Sequence, residues 1–187
     1  MTVIRSPTDE GTVRSLKLGQ TVFVSGTILT GRDEMHMRAL SSDAPDILNG
    51  STLFHCGPIM IKQGGHWKVI AAGPTTSARM NSMEAEMIRR HRIRMIIGKG
   101  GMSDDVLKAM KEVGCVYLAA IGGAAVSLAE GLREVTGVEW DDLGMAEAMW
   151  EFNAEHFGPL TVAMDANGNS IYKDVNSRVS KMTDGQS

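Results

Sequence analysis

Residues 93–132 alternate between short apolar runs and segments with helical spacing, and this alternation constrains the fold most. The run "IRMIIGKGG" predicts a buried strand that ends in glycines, and "SDDVLKAMKEVG" predicts a helix closed by Gly114. "CVYLAAIGGAAVSLAEGL" predicts a strand, a turn at Gly122-Gly123 and another helix. Strand–helix–strand alternation requires a parallel or mixed sheet with helices packed on it. The chain is therefore predicted to be an α/β protein with a mixed sheet.

The flanking segments extend this pattern. "TVFVSGTILT", "STLFHCGPI" and "HWKVIAAG" predict strands, and residues 33–40 have helical spacing. "TSARMNSMEAEMIRRH" predicts a helix whose apolar face carries Met80, Met83, Met87 and Ile88. "LTVAMDANGNSIYKDV" predicts two strands joined through Asn167-Gly168, which is a strong turn signal. We therefore expect an antiparallel hairpin near the C-terminus.

The chain reads as a single domain over residues 1–187, with a core from about residue 12 to residue 175. Its 187 residues are enough for one substantial core, and no repeat or linker divides them. Residues 1–11 and 176–187 are rich in polar residues, so both ends are predicted to fray.

Composition excludes several classes of function. The net charge of −3 argues against a nucleic-acid-binding protein, which is normally basic. No apolar run approaches the about 20 residues that span a bilayer, and no signal peptide is evident, so we expect a cytoplasmic protein without a membrane partner. The only two cysteines, Cys56 and Cys115, form no CxxC motif and are expected to be buried thiols, with a disulfide as the alternative.

The stretch "GPTTSARM", residues 73–80, lies where a predicted strand gives way to a helix. Thr75, Thr76 or Ser77 can cap that helix, but one cap would suffice. Arg79 falls in the first turn, where a cation opposes the helix dipole unless an anion approaches. Free helix N–H groups and a guanidinium would together bind a carboxylate or phosphate. The local sequence leaves helix capping and anion binding equally open.

Two further cations lie at predicted strand ends. Lys99 stands among the glycines of "GKGGMS", and Arg32 begins "RDEMH" together with Asp33 and His36. Taken alone, each stretch favours a turn or a capped helix with solvent-facing charges. Because the carboxyl ends of strands meet at one edge of such a sheet, Arg32, Arg79 and Lys99 together favour a site for a small dianion with two carboxylates.

Thr75 is the candidate for proton transfer in such a site, if the positive surroundings make its hydroxyl more acidic. The sequence contains no evident Ser-His-Asp order, metal-ligand cluster or GxGxxG motif. Any electrophile must therefore come from outside this chain.

Seven stretches in a fixed order from about residue 20 to residue 172 carry a family resemblance: "SGTILTGRDEMH", "CGP", "AAGPTTSARM", "GKGG", "YLAAIGGAA", "DLGMAEAMW" and "VAMDANGN". The chain resembles the β subunit of two-subunit class I fumarases and L(+)-tartrate dehydratases, which corresponds to the C-terminal domain of single-chain class I fumarases. GPTT-x-x-RM and GRD-x-x-H are the specific motifs. The resemblance implies a swivelling β/β/α domain.

The same resemblance implies a partner α subunit that holds a [4Fe-4S] cluster through three cysteines, with the open iron acting as a Lewis acid. This chain would bind no cofactor or metal itself. An α2β2 assembly is expected, and the isolated chain is expected to be able to self-associate. By motif, Arg32 and Arg79 would bind the substrate carboxylates, Lys99 would be a further catalytic cation, and Thr75 would remove the C3 proton of malate. Asp33, His36 and Thr76 would support them, with Asp33 and His36 orienting Arg32.

The resemblance implies a hydro-lyase that converts fumarate and L-malate reversibly. The first alternative is an L(+)-tartrate dehydratase β subunit, which would take part in forming oxaloacetate and needs the same carboxylate contacts. The second is an anion-binding module that keeps the fold without catalysis, although the complete cation set and Thr75 argue against it.

Overall fold

The computed structural model describes residues 2–120 and 125–173 of the chain. Within these residues the chain forms nine strands: β1 (Thr2–Ser6), β2 (Thr21–Gly31), β3 (Thr52–His55), β4 (Ile59–Gln63), β5 (His66–Ala71), β6 (Met95–Gly98), β7 (Val116–Ala120), β8 (Leu132–Glu139) and β9 (Met149–Met164). The α-helices are α1 (Glu10–Ser15), α2 (Asp33–Ser41), α3 (Asn81–His91), α4 (Asp104–Val113) and α5 (Ala125–Gly131). Three 3-10 turns cover Asp46–Leu48, Ser77–Met80 and Asp141–Leu143.

Seven strands form one mixed sheet in the order β1-β2-β3-β6-β7-β9-β8. The pairings from β1 to β7 are parallel, whereas β9 runs antiparallel to β7 and β8. β9 also pairs with β2, which joins β2, β3, β6, β7 and β9 into a closed ring of strands. The predicted α/β class and mixed sheet are confirmed.

Two apolar cores lie on opposite faces of this sheet. Side chains alternate between them along the central strands, as the pleat of a strand requires: Leu53 and Phe54 belong to different cores, and so do Ile96 and Ile97. Helices α2, α3 and α4 cover one face. The predicted apolar stripe of α3 is present at Met87 and Ile88, which are fully buried. Met83 is only half-buried, and Met80 is buried in the 3-10 turn before α3. Gly114 closes α4 with φ of 80°, and its N–H donates to Met110 O.

The N-terminal residues correct one expectation. Residues 1–11 were predicted to fray, but Thr2–Ser6 forms β1 and pairs in parallel with residues 22–26 of β2. Ile4 is buried there, and the Ser6 hydroxyl donates to Thr27 O at 2.5 Å. A polar composition concealed this strand because only alternate side chains face the core. Residues 176–187, the other predicted frayed end, lie outside the described residues.

The C-terminal turn forms where Asn167-Gly168 predicted it. Gly168 has φ of 95°, and Asp165 Oδ1 accepts hydrogen bonds from the N–H groups of Asn167 and Asn169, both at 2.9 Å. The chain reverses through one antiparallel bridge between Met164 and Ser170, and residues 171–173 are helical. The Gly122-Gly123 turn lies outside the described residues.

Strands β4 and β5 form a separate antiparallel hairpin that leaves and rejoins the main body beside two Gly-Pro pairs. An isolated bridge between Cys56 and Pro74 closes its base. In residues 2–120 and 125–173, no helix has the length and apolar character needed to cross a membrane.

Candidate active site

The three predicted cation-bearing stretches lie at one edge of the sheet. β2, β3 and β6 are parallel neighbours, so their carboxyl ends point the same way. Arg32 follows β2, Gly57 and Pro58 follow β3, and Lys99 follows β6. The polar loops at these three strand ends form the candidate site.

The "GPTTSARM" segment is held between the ends of β3 and β6 by backbone contacts. The Thr75 N–H donates to His55 O at 2.7 Å, beside the bridge between Cys56 and Pro74. On the other side Thr76 bridges Lys99, and the Ser77 N–H donates to Lys99 O at 3.0 Å. These contacts place Thr75 and Lys99 on neighbouring backbone segments.

Arg79 and Asp33 join the motifs after β5 and β2. Arg79 Nη2 lies 2.9 Å from Asp33 Oδ2, and the Arg79 side chain is 51% exposed. The contact is an ion pair without hydrogen-bond alignment at the Asp33 oxygen. Asp33 was expected to orient Arg32, but this carboxylate pairs with Arg79 instead. Arg79 keeps further N–H donors for a ligand, since a guanidinium carries five.

Arg32 pairs with a residue that the sequence did not single out. Its Nε lies 3.3 Å from Glu147 Oε1, again without hydrogen-bond alignment, while Glu147 Oε2 accepts from the Glu34 N–H at 3.0 Å. Glu147 therefore supplies a hydrogen-bond acceptor for the N-terminus of α2. Arg32, the N-cap residue, makes no side-chain capping bond there. Gly57 lies against the Arg32 side chain, because a Cβ there would be 2.9 Å from Arg32 Nη1.

The hydroxyls of "GPTTSARM" do not cap the helix in the expected way. Thr76 occupies the N-cap position of the 3-10 turn Ser77–Met80 but makes no side-chain capping bond. The Ser77 hydroxyl is fully buried and points instead towards His55 and Tyr117. Thr75 is half-buried, and Thr76 and Lys99 are exposed.

Beneath these loops lies a buried polar network of five side chains, which we call the histidine–glutamate network: His36, Glu84, His55, Ser77 and Tyr117. His36 Nδ1 contacts Arg32 O at 2.6 Å and His36 Nε2 contacts Glu84 Oε2 at 2.9 Å. His55 Nε2 lies 3.0 Å from the same Glu84 oxygen, at an angle too bent for a well-aligned hydrogen bond. His55 Nδ1 contacts Ser77 Oγ at 2.8 Å, and Ser77 Oγ contacts Tyr117 OH at 2.9 Å. All five side chains are fully buried.

The partners of His36 define its protonation. Arg32 O can only accept, so Nδ1 carries a proton, and the Glu84 carboxylate requires a second proton on Nε2. Burial alone would lower the pKa of His36, but the charge and hydrogen bond of Glu84 raise it overall. Burial would raise the pKa of Glu84, and the two histidines lower it overall. His55 differs, because burial outweighs Glu84 and lowers its pKa.

Neither the two cysteines nor the histidine–glutamate network is suited to bind a metal ion. Cys56 and Cys115 are free and buried, and burial raises the pKa of Cys56 to about 12 and that of Cys115 well above its usual value, so neither is a ready thiolate ligand. In the described part of the chain, His36, His55 and Glu84 have ligand atoms within 4.8 Å of one another. Their close contacts form a buried ion cluster with no exposed face for a metal to enter.

Comparison with known proteins places this arrangement in a family. The model of a family described as Fumarase C-terminus matches residues 2–175. The chain belongs to the Fumarase C-terminus family. The Fumarase C-terminus match includes every residue of the candidate site, from Arg32 to Glu147.

Relatives of this member of the Fumarase C-terminus family carry two kinds of name. A Methanocaldococcus jannaschii protein named "Putative L(+)-tartrate dehydratase subunit beta" is 47% identical over 173 residues, which is 89% of each chain. The "L(+)-tartrate dehydratase subunit beta" of Escherichia coli K12 is 34% identical over 90% of this chain and 85% of its own. "Putative fumarate hydratase class I" of Geobacillus stearothermophilus is 43% identical over 92% of this chain but only 34% of its own length. This chain therefore spans about a third of that last relative.

Sequence reasoning missed Glu84, His55 and Glu147. Glu84 lies in an amphipathic helix, and its residue type is the same as that of the exposed Glu86 in the same helix. The available signal was its position: Glu84 follows Met80 and precedes Met87 and Ile88 on the buried face, at helical spacing. A carboxylate on an apolar stripe requires a buried partner.

Proposed function

We propose that this chain is the β subunit of a hydro-lyase that reversibly adds water to fumarate to give L-malate. The observation that carries the proposal is the junction of three motifs at one sheet edge: Arg79 contacts Asp33 of the GRD motif at 2.9 Å, and Thr76 bridges Lys99 of the GKGG motif. Membership of the Fumarase C-terminus family supports it independently.

L(+)-tartrate dehydration to oxaloacetate is the second candidate reaction. Two of the three relatives described above carry that name, including the 47% identical protein. Malate and tartrate are both four-carbon dicarboxylates and differ by one hydroxyl group, so both need the same cations.

Arg32, Arg79 and Lys99 bind the substrate carboxylates in this proposal. A guanidinium suits a carboxylate because its N–H groups match the two oxygens in one plane. Glu147 and Asp33 each contact one nitrogen of an arginine, which fixes the side chain and leaves other donors available. Lys99 is exposed and adds a point charge beside Thr75.

Thr75 removes the C3 proton of malate in the dehydration direction and returns it in hydration. A neutral threonine hydroxyl is too weak a base, so Thr75 must first lose its own proton to solvent, and nearby positive charge stabilises the resulting alkoxide. The alkoxide becomes the hydroxyl again when it takes the C3 proton. The Thr75 backbone is fixed between β3 and the Lys99 segment, and three cations lie on the adjoining loops. Asp33, His36 and Thr76 support these loops.

We place the iron–sulfur cluster on a partner α subunit. Its ligands would be three thiolates, whereas this chain has two cysteines, both buried and held as thiols. The residues of this chain do not fit the cluster. What this chain contributes is carboxylate binding and proton transfer.

The proposal extends to assembly and setting. The β-subunit names of two relatives support a partner α chain, and we propose an α2β2 complex in the cytoplasm, with some self-association of the isolated β chain. We also propose that residues 1–187 form one domain that swivels over the partner's cluster. We propose the C-terminal hairpin only as far as the Met164–Ser170 bridge, because residues 171–173 are helical.

Anaerobic reconstitution tests the proposed function. This chain would be co-expressed with its α partner, supplied with iron and sulfide, and assayed with fumarate, L-malate and L(+)-tartrate. We expect the complex to turn over a dicarboxylate, and each chain alone to be inactive. The ratio of kcat/KM for malate and tartrate then identifies the preferred substrate.

Two outcomes would contradict parts of the proposal. A loaded complex without turnover of any of these substrates would overturn the enzyme assignment, and dicarboxylate binding in that case would favour an anion-binding module. Turnover by this chain alone would overturn the placement of the cluster on a partner.

A further inference from the structure

Three loops of the candidate site are each hydrogen-bonded to a residue whose side chain belongs to the histidine–glutamate network, once through the His36 ring and twice through main-chain groups. His36 Nδ1 donates to Arg32 O at 2.6 Å. His55 O accepts from the Thr75 N–H at 2.7 Å, and the Ser77 N–H donates to Lys99 O at 3.0 Å. Three of the four residues proposed to meet the substrate, Arg32, Thr75 and Lys99, are thus each hydrogen-bonded to a residue of this cluster.

The donors and acceptors of the network fit a single arrangement. His36 is an imidazolium, with one proton towards Arg32 O and one towards the Glu84 carboxylate. A proton on His55 Nε2 faces that same carboxylate, which leaves Nδ1 to accept from the Ser77 hydroxyl. Tyr117 then donates to Ser77 Oγ. A reversal at one position would set two donors or two acceptors face to face.

Packing leaves no space for a different arrangement. Gly98, the last residue of β6, lies against Ser77, because a Cβ at position 98 would be 2.0 Å from Ser77 Oγ and 3.0 Å from Tyr117 OH. The rings of His36 and His55 meet edge to face with centroids 5.3 Å apart. The network is therefore packed in one geometry, and this fixes the positions of the loops that are hydrogen-bonded to its residues.

We propose that Glu84, together with His55 and Ser77, acts as a positioning centre that sets the relative placement of Arg32, Thr75 and Lys99 for the dicarboxylate. This inference rests on the proposed function. None of the three touches substrate. Glu84 acts by holding two histidines from different elements, His36 of α2 and His55 of β3, against one carboxylate oxygen.

Glu84→Gln is the principal test, because it keeps the side-chain shape and removes the charge that binds His36. The matched control is Glu86→Gln, the same change two residues along α3 at an exposed position. In the reconstituted complex we expect Glu84→Gln to lower kcat/KM by about 10- to 100-fold, mostly through KM, since small misplacements of binding groups have effects of this order. Glu86→Gln should stay within about twofold of the wild type.

Ser77→Ala is the second test, and it remains decisive if Glu84→Gln does not fold. It removes one hydroxyl and separates His55 from Tyr117. We expect KM to rise by about tenfold in a variant that stays folded but melts at a lower temperature, because it loses the two buried hydrogen bonds of Ser77 Oγ.

A ring-nitrogen NMR titration of His36 in this chain gives a readout that loss of packing alone would not produce. In the wild type His36 should stay doubly protonated to higher pH than an ordinary histidine, and in Glu84→Gln it should lose a proton at lower pH. The Glu86→Gln spectrum should match the wild type.

The outcomes separate this inference from the proposed function. An inactive wild-type complex overturns both. An active wild-type complex in which folded Glu84→Gln or Ser77→Ala keeps KM and kcat within about twofold overturns the positioning role alone. A His36 titration that Glu84→Gln leaves unchanged also overturns it.

Discussion

The two arginines proposed to bind the substrate are each held by an acidic side chain from another segment. Arg32 contacts Glu147, and Arg79 contacts Asp33. Neither contact has hydrogen-bond alignment, and the Arg79 side chain is 51% exposed, so these pairs matter chiefly for orientation. An arginine held at one nitrogen presents its remaining N–H groups in a fixed direction.

Arg79→Ala should abolish or greatly weaken turnover without unfolding the chain. We expect kcat/KM of the reconstituted complex to fall by about 100-fold, because loss of a charged partner of a carboxylate costs about 3 kcal/mol. Arg89→Ala is the control, since Arg89 is similarly exposed, at 47% against 51%, and also pairs with a carboxylate, Glu112. Steady-state kinetics with thermal melts would check this. Kinetics equal to those of Arg89→Ala would leave Arg79 as a structural residue.

At the scale of elements, the site depends on how strands end. β2, β3 and β6 end side by side, and a glycine lies at or just beyond each end: Gly31, Gly57 and Gly98. At all three positions a Cβ would meet a neighbouring atom at less than 3.0 Å. These glycines allow the loops to approach one another closely enough to form the site.

Gly98→Ala should disrupt the junction of β6 with the "GPTTSARM" segment. The added Cβ would lie 2.0 Å from Ser77 Oγ, so we expect a loss of about 1–3 kcal/mol in the free energy of unfolding together with a higher KM. Gly137→Ala on β8 is the control, because its Cβ meets at 2.9 Å only the flexible end of Glu151 and should cost less than about 0.5 kcal/mol. Urea unfolding of both variants measures the difference. Equal stability of the two would show that Ser77 moves aside freely.

At the scale of the whole molecule, the packing of helices α2 and α3 against the sheet places charged groups where water cannot reach them. Glu84 and His36 lie between the sheet and the helices, within the layer that contains Met87, Ile88 and Tyr117. A buried ion pair of this kind couples the stability of the whole fold to pH.

The free energy of unfolding should be highest near pH 6.5. The pKa of His36 is raised above its ordinary 6.5, so its contribution is complete below pH 6.5 and is lost as the pH rises through the folded-state value. The pKa values of His55 and His91 are lowered from 6.5, chiefly by burial, so protonation of the unfolded chain reduces stability below pH 6.5. Glu84, lowered from 4.5, adds a further loss below pH 4.5.

Urea midpoints measured between pH 4 and pH 9 test this profile. Glu84→Gln should remove the decline on the alkaline side, because burial alone lowers the pKa of His36. A wild-type profile that rises steadily above pH 7 would contradict a protonated His36 in the folded chain.

Much of the fold followed from local pattern. The central strands and helices were predictable because buried strands, amphipathic helices and glycine-closed turns have their own periods and end signals, as Gly114 and Asn167-Gly168 illustrate. β1 was missed because its polar letters conceal an alternation of exposed and buried residues. The antiparallel strands β8 and β9 were largely missed because their pairing depends on distant segments.

By itself, the sequence determined the α/β class, the family motifs and the three cations at strand ends. Each of these features depends on one short continuous stretch of residues and not on contacts between distant ones. Only the tertiary structure decided which groups meet. Glu84 contacts His36 across 48 positions, and Glu147 contacts the start of α2 across 113. Such partners carry no local signature, since a buried glutamate and an exposed one are the same letter. What distinguishes them is the packing of α3 against the sheet, which excludes water from Glu84 and leaves Glu86 in solvent.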